Sequence, residues 1–364
     1  MAFTPTPARQ APPTEIGVLG WLHKNLFSSI PNAILTLIAA YISIQGLYWI
    51  ISWAFINADW VGTSRDDCTS DGACWVFVSV RINQFIYGFY PPVARWRPNL
   101  TFALLVGFLI WLAVPQIPYK KLGAILSLTA FPVVAYFLLY GGAFGLPVVP
   151  TSRWGGLMLT IVIAVIGIVL AMPIGIALAL GRRSDMPAVR LVCTIFIEFW
   201  RGVPLITILF MASVMLPLFF SEGVSIDRLV RALIGITLFQ SAYMAEVVRG
   251  GLQALGKGQY EAADALGLSY WQKMNLVVLP QALKIMIPGI VNTTISLWKD
   301  TSLVVIIGLL EVLGQVRQAL ADPNWLGYPA EGYIFAALTF WVFCFSMSRF
   351  SQYLERRLDT GHRN

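Results

Sequence analysis

Between Gln259 and Pro280 the chain reads QYEAADALGLSYWQKMNLVVLP, a polar stretch set between two long apolar runs. Gln259–Leu266 is rich in helix formers, and Gly267 follows as a natural left-handed residue to stop that helix. Ser269 sits three residues before Gln272, the spacing of a capping box, so a second helix opens at once. Pro280 ends or kinks it. The stretch therefore predicts two short amphipathic helices held at a fixed angle. Such a knuckle either docks into a groove on another protein or simply caps the bundle it emerges from.

Outward from the knuckle, the flanking runs are long enough for a bilayer, whose apolar core of about 30 Å needs about 20 helical residues. Eight stretches qualify: Ile30–Ile56, Leu100–Val114, Leu122–Tyr140, Gly156–Leu180, Leu191–Phe220, Ala232–Val248, Ile287–Leu310 and Tyr333–Ser348. The second and the last are short. The expected fold is therefore all-α, a polytopic membrane protein of about eight transmembrane helices. The first run follows a Pro-rich head without a small-residue cleavage site and reads as an uncleaved anchor.

Composition agrees. Of 364 residues 57% are hydrophobic and 12% charged, with a mean hydropathy of +0.72, whereas globular domains carry roughly 25% charge. Disordered, collagenous and disulfide-scaffold classes are excluded. The net charge of +7 would suggest a nucleic-acid partner in a soluble chain; here it is read as orientation, with no nucleic acid expected. With the N-terminus inside, fifteen of the 25 cations fall on the inner side and eight outside, half of those eight in the loop Asn57–Asn99. The positive-inside rule then puts both termini in the cytoplasm. The two remaining cations, Arg201 and Lys299, fall within apolar segments.

The outer loop holds Cys68 and Cys74 among Asp66, Asp67 and Asp71; in an oxidising compartment they either pair or remain two free thiols. Cys193 and Cys344 sit in apolar stretches as packing residues. His23 and His362 lie near the two ends, so no metal site is expected. Gly251–Lys257 (GLQALGK) fits the pattern G-x-x-x-x-G-K, but Gly258 stands where the Mg²⁺-binding hydroxyl belongs. The stretch also follows a membrane helix rather than a strand. It reads as a break between two helices, and no catalysis is expected from this chain.

Ionisable groups at mid-bilayer cost at least about 2.5–3.5 kcal/mol and mark a pathway or a paired structural site. Asn292, Ser296 and Lys299 or Asp300 share one stripe of their helix. Asp300, followed by Thr301 and Ser302, could also cap a second half-helix. Glu198 and Arg201 stand three apart and can pair along one face, with Gly202 and Pro204 breaking the helix just beyond. Gln240, Tyr243 and Glu246 fall within a sector of about 120°, and Glu246 either faces a path or pairs with Arg249. For an α-amino acid, Glu246 or Asp300 could meet the ammonium and Arg201 or Lys299 the carboxylate.

Glu261, Ala262, Ala263, Gly267, Val277, Leu279 and Pro280 resemble the EAA loop of ABC-importer permeases, E-A-A-x3-G-x9-I-x-L-P, with Val277 replacing the Ile. The match implies a five-helix type I ABC-importer permease core over 151–350, with residues 255–284 as the coupling loop that fits the ATP-hydrolysing subunit. Glu198–Leu205 (EFWRGVPL), Ala242–Gly251 (AYMAEVVRGG) and Lys299–Leu303 (KDTSL) resemble the polar-amino-acid branch. Tyr87–Tyr90 (YGFY) and Arg95–Arg97 (RWR) are similar to the M-type subunit of general L-amino-acid importers. The resemblance implies three extra helices over 30–150 with a periplasmic loop 57–99, and cytoplasmic tails 1–29 and 351–364. It implies an ATPase dimer, holding ATP and Mg²⁺ outside this chain, a second permease of Q type, and a periplasmic amino-acid-binding protein. The expected setting is the bacterial inner membrane and the expected mechanism alternating access. An ion-coupled secondary amino-acid transporter is the alternative; it would show internal repeats, and none is seen.

Overall fold

A computed structural model of the protein describes residues 17–220 and 226–358. The outermost parts of the expected tails, His362 included, lie outside the described residues. The chain divides at Phe77/Val78 into two compact units.

The first unit carries α1 (Gly17–Leu26) and α2 (Ile30–Ile51). Ser29 caps α2, its hydroxyl accepting from Asn32 N, and five π-helical residues carry it on to Ile56. After it, Trp53, Trp60 and Trp75 gather into one aromatic cluster, and Trp75 Nε1 donates to the Ala54 carbonyl at 2.7 Å. Cys68 and Cys74 have their Cα atoms 5.6 Å apart with the sulfurs bonded. α3 (Trp75–Tyr87) then makes part of the expected outer loop 57–99 helical.

The second unit holds α4 (Trp96–Ala113), α5 (Lys120–Leu128), α6 (Ala130–Leu139), α7 (Gly156–Arg182), α8 (Pro187–Gly202) and α9 (Leu205–Val214). They are followed by α10 (Arg228–Ala254), α11 (Lys257–Ala265), α12 (Tyr270–Gln272), α13 (Leu279–Asp300), α14 (Val312–Leu320) and α15 (Pro329–Leu358). α10 is the hub: α7, α8, α9 and α13 all pack on it. Small residues permit the approach. A Cβ on Gly175 would come within 2.7 Å of Met244 Cβ, so α7 and α10 meet as closely as membrane helices do at glycine. One apolar core surrounds Ile163, Leu209 and Ile236. A second surrounds Met244, Val248 and Val278, towards the knuckle.

Among the described residues five helices are long and apolar enough to cross a membrane, and up to seven if each of two bent pairs is one span. The expected count is about eight, one more than this test of length and composition passes. The segment left over, Ala232–Val248, lies in α10, where Thr237, Gln240 and Ser241 are buried. A helix enclosed by other helices can carry polar groups that a lipid-facing one cannot.

The expected run Leu122–Tyr140 bends by 42° between α5 and α6, and Leu191–Phe220 bends by 101° between α8 and α9, where Gly202 and Pro204 stand. The final run, expected to be short, lies in a helix of 30 residues, because α15 continues beyond its apolar part to Arg356 and Arg357.

Candidate functional site

The knuckle follows its sequence closely at the first turn. α11 ends with Gly267 at φ +71°; Leu268 N donates to the Ala263 carbonyl at 3.2 Å and Gly267 N to that of Asp264 at 2.9 Å, the paired bonds of a Schellman end. Ser269 and Gln272 then form the reciprocal capping box. The second helix departs from expectation. Instead of a short helix ended by Pro280, one α turn passes through a π segment, Lys273–Val278, directly into α13. Pro280 follows the π segment within this continuous helix and does not end it.

The knuckle is fastened from both sides. Lys273 pairs with Asp264 across the bend at 2.5 Å, and Gln281 Nε2 donates to Gln259 Oε1 at 2.9 Å. Met274 and Val278 are buried in the second core, as is Ala263. Outward it shows Glu261, Ala262, Leu266, Tyr270, Trp271 and Leu276, with Leu266 78% and Trp271 66% exposed. Five of these six are apolar or aromatic, the composition that a docking face requires.

Next to the knuckle lies a cluster of five charges. Glu246 on α10 accepts from Arg182 at 2.7 Å and Arg249 at 2.8 Å, with Arg201 at 3.6 Å. Arg182 also reaches Glu198 at 2.9 Å, and Arg201 lies over the Tyr243 ring at 5.8 Å. Three helices, α7, α8 and α10, are thereby tied at one end. The expected Glu198–Arg201 pair along α8 is not formed. Glu198 turns to α7 and Arg201 to α10, because three arginines converge on the partly buried Glu246. Arg182 was not singled out in the sequence, although it is the first charge after the 26 uncharged helical residues Gly156–Gly181. Its neighbour Arg183 donates to the Tyr260 hydroxyl at 3.2 Å, and that hydroxyl donates to the Leu252 carbonyl at 3.0 Å. Adjacent arginines thus join the cluster to the knuckle.

On α13, Asn292, Ser296 and Lys299 are all exposed on the chain. Gln240 does not share that freedom: it is buried, and Nε2 donates to the Thr293 carbonyl at 2.9 Å, which commits it to the contact between α10 and α13. Asp300 makes no side-chain cap, correcting the expected second half-helix. Thr301 and Ser302 hydroxyls donate backwards, to Trp298 and Lys299 carbonyls at 2.7 and 2.8 Å. The helix therefore tightens into a 3-10 segment, Thr301–Ile307, stopped by Gly308 at φ +75°.

The apparent phosphate loop is a helix end. Gly251–Ala254 close α10, the chain breaks at Leu255 and Gly256, and Lys257 opens α11. Gly251 serves packing, since a Cβ there would lie 2.2 Å from Met286 Cγ. Among the described residues no His, Cys, Asp or Glu group could hold a metal ion.

A bundle hung on α10, with a bent α8–α9 and a rigid apolar knuckle at one end, is the frame of a multi-span transport subunit. The chain belongs to the family of inner membrane components of binding-protein-dependent transport systems, whose model matches residues 171–360. It is a permease subunit with the type I ABC permease fold, seated in the bacterial inner membrane, and the ATPase is a separate subunit.

The inner membrane amino-acid ABC transporter permease protein YhdY of Escherichia coli K12 is 56% identical, over 98% of this chain and 97% of its own. The glutamate/glutamine/aspartate/asparagine transport system permease protein BztC of Rhodobacter capsulatus is 38% identical, over the same shares of each. Among solved structures, a crystal structure of an amino acid ABC transporter with histidines is similar at 29% identity. Its TM-score is 0.50, and the match covers 56% of this chain and 92% of that one. The ion-coupled alternative finds no support among these relatives.

Proposed function

We propose that this chain is one permease half of an ATP-driven importer of L-amino acids. It moves its cargo by alternating access, together with an ATPase dimer, a second permease of Q type and a periplasmic amino-acid-binding protein. The observation that carries this reading is the knuckle: rigid at Gly267 and Ser269, apolar outward, and joined through Tyr260, Arg183 and Arg182 to the charges that tie α7, α8 and α10. In this reading the knuckle sits in a groove of the ATPase, on the cytoplasmic side with both termini, and its movement is passed to the bundle. ATP shifts the balance of states only as far as the ATPase dimer prefers one knuckle position.

The polar stripe of Asn292, Ser296 and Lys299 supports the second permease, because lipid is a costly environment for Lys299. The stripe would face a pathway shared by two cores. Domain limits follow the same reading: a permease core over 151–350, preceded by three extra helices over 30–150, with residues 57–99 on the periplasmic side. Cys68 and Cys74 are then in an oxidising compartment, where the disulfide is stable.

The test uses the complex reconstituted in liposomes with its binding protein. Gly267→Val forces a β-branched residue to a left-handed backbone, at a cost of about 1–2 kcal/mol or more. No atom lies within 4 Å of a Cβ there, so strain and not collision is the cause. ATP-driven uptake and ATPase co-purification are expected to fall several-fold in Gly267→Val and to persist in Gly267→Asn, since Asn tolerates that conformation. A wild-type chain that purifies alone and moves amino acids on an ion gradient without ATP refutes the proposal.

A further inference from the structure

At the far end of α10 from the knuckle, about 40 Å away at 1.5 Å per residue, two cavities of about 310 and 410 Å³ share Arg228, Arg231 and Gly308 as walls. Arg228 and Arg231 stand three apart, so both guanidinium groups lie on one face of α10. Among the described residues neither guanidinium has a carboxylate partner. Arg231 donates from Nη1 to the Ser213 carbonyl, and its Nε is buried with no hydrogen-bond partner. Arg228 Nη1 reaches the Gly308 carbonyl at only 3.5 Å. Gly308 is what admits it, because a Cβ there would lie 2.6 Å from that nitrogen.

The smaller cavity is also lined by acceptors. Asp227 accepts from the Leu229 and Val230 amides through Oδ1 and from the Thr151 hydroxyl through Oδ2, and each carboxylate oxygen can accept more than one bond. Thr151 and Ser152 add hydroxyls beside it. The lining therefore offers two strong donors together with a carboxylate and two hydroxyls. Both volumes fall at the small end of ligand pockets, roughly 300–1,000 Å³.

We propose that this cavity receives the zwitterionic head of an α-amino acid, with the carboxylate between Arg228 and Arg231 and the ammonium towards Asp227, Thr151 and Ser152. The site is a receiving station at the outer mouth of the permease, where cargo released from the binding protein is held before it enters the bundle. It rests on the importer reading for its sidedness and its ligand class. A bare anion such as phosphate is a poorer fit, because Asp227 would repel it.

The test uses the full complex, with its ATPase and second permease, in phosphatidylethanolamine/phosphatidylglycerol nanodiscs and without the binding protein. Each of the ¹⁴C-labelled proteinogenic L-amino acids serves as probe, with the matching amino-acid amides, which lack the carboxylate, as competitors. Saturable binding of at least one amino acid is expected, with the amide competing about tenfold less well or worse. Arg228→Gln and Arg231→Gln are each expected to weaken binding roughly tenfold to hundredfold, the worth of a charge-assisted bond. Ser152→Trp, which fills the cavity from its exposed rim without removing a charge, is expected to lower it likewise. The proposal is overturned if amides compete as well as acids, if both arginine variants bind as tightly as the wild type, or if the wild type binds none of the probes. Failure of the importer reading is a separate result: the wild-type complex, with binding protein and ATP, would then take up no amino acid at all.

Discussion

Glu311 is fully buried between the end of the span Tyr270–Ile307 and α14. Its carboxylate accepts from Leu313 N at 2.9 Å and Gly314 N at 2.8 Å, capping α14. Burial nevertheless outweighs those bonds and pushes its carboxyl up to about 7. An acid whose folded pKa is raised holds its proton more tightly when folded. Its contribution is therefore complete below the ordinary carboxylate range and is lost as pH climbs towards 7, by about 3 kcal/mol in all. Thermal unfolding of the purified complex is expected to drop between pH 5 and 8, and Glu311→Gln should flatten that slope while its amide oxygen keeps a cap. An equal slope in the variant would show that another group titrates. Nothing in the local sequence marks Glu311, since its burial depends on Gly156, whose amide bonds to the Leu310 carbonyl at 2.9 Å.

Among elements, the readable part was whatever lies within one helix turn. The stop at Gly267, the capping box at Ser269 and the break at Gly202 and Pro204 all follow from adjacent residues. The charge cluster does not, because Arg182, Glu198, Arg201 and Glu246 come from three helices, and spacing along α8 pointed to the wrong pair. In this arrangement Arg182 and Glu246 should be coupled. Single Arg182→Gln and Glu246→Gln changes should each destabilise the complex and slow uptake. The double variant should cost less than their sum by about 1–3 kcal/mol. Additive effects on unfolding would place the two groups in independent environments.

At the scale of the whole molecule, α13 leaves its polar stripe open on a chain otherwise suited to lipid. A maleimide reacts with the thiolate, which forms in water and not in hydrocarbon. In the assembled complex, Ser296→Cys on a background of Cys193→Ala and Cys344→Ala is expected to react with a water-soluble maleimide. Its rate should change when ATP is bound, as the pathway opens to one side or the other. A thiol inert in every state would place the stripe against lipid or dry protein. Arg97 shows the same scale from inside. It is 1% exposed, and its guanidinium donates to the Leu138 and Pro147 carbonyls, so a residue readable only as part of a short motif holds the end of α6 to α4.

The sequence by itself determined that the chain is helical, crosses a membrane several times and presents a rigid knuckle. Those properties come from apolar run length and from capping chemistry between residues a few positions apart. Only the tertiary structure decided that α10 is the enclosed hub, that Arg182 links the knuckle to Glu246, and that Arg228 and Arg231 share a cavity with Asp227 and Thr151. Each of these depends on which helices pack side by side, and charges on different helices find partners through that packing rather than through spacing along the chain.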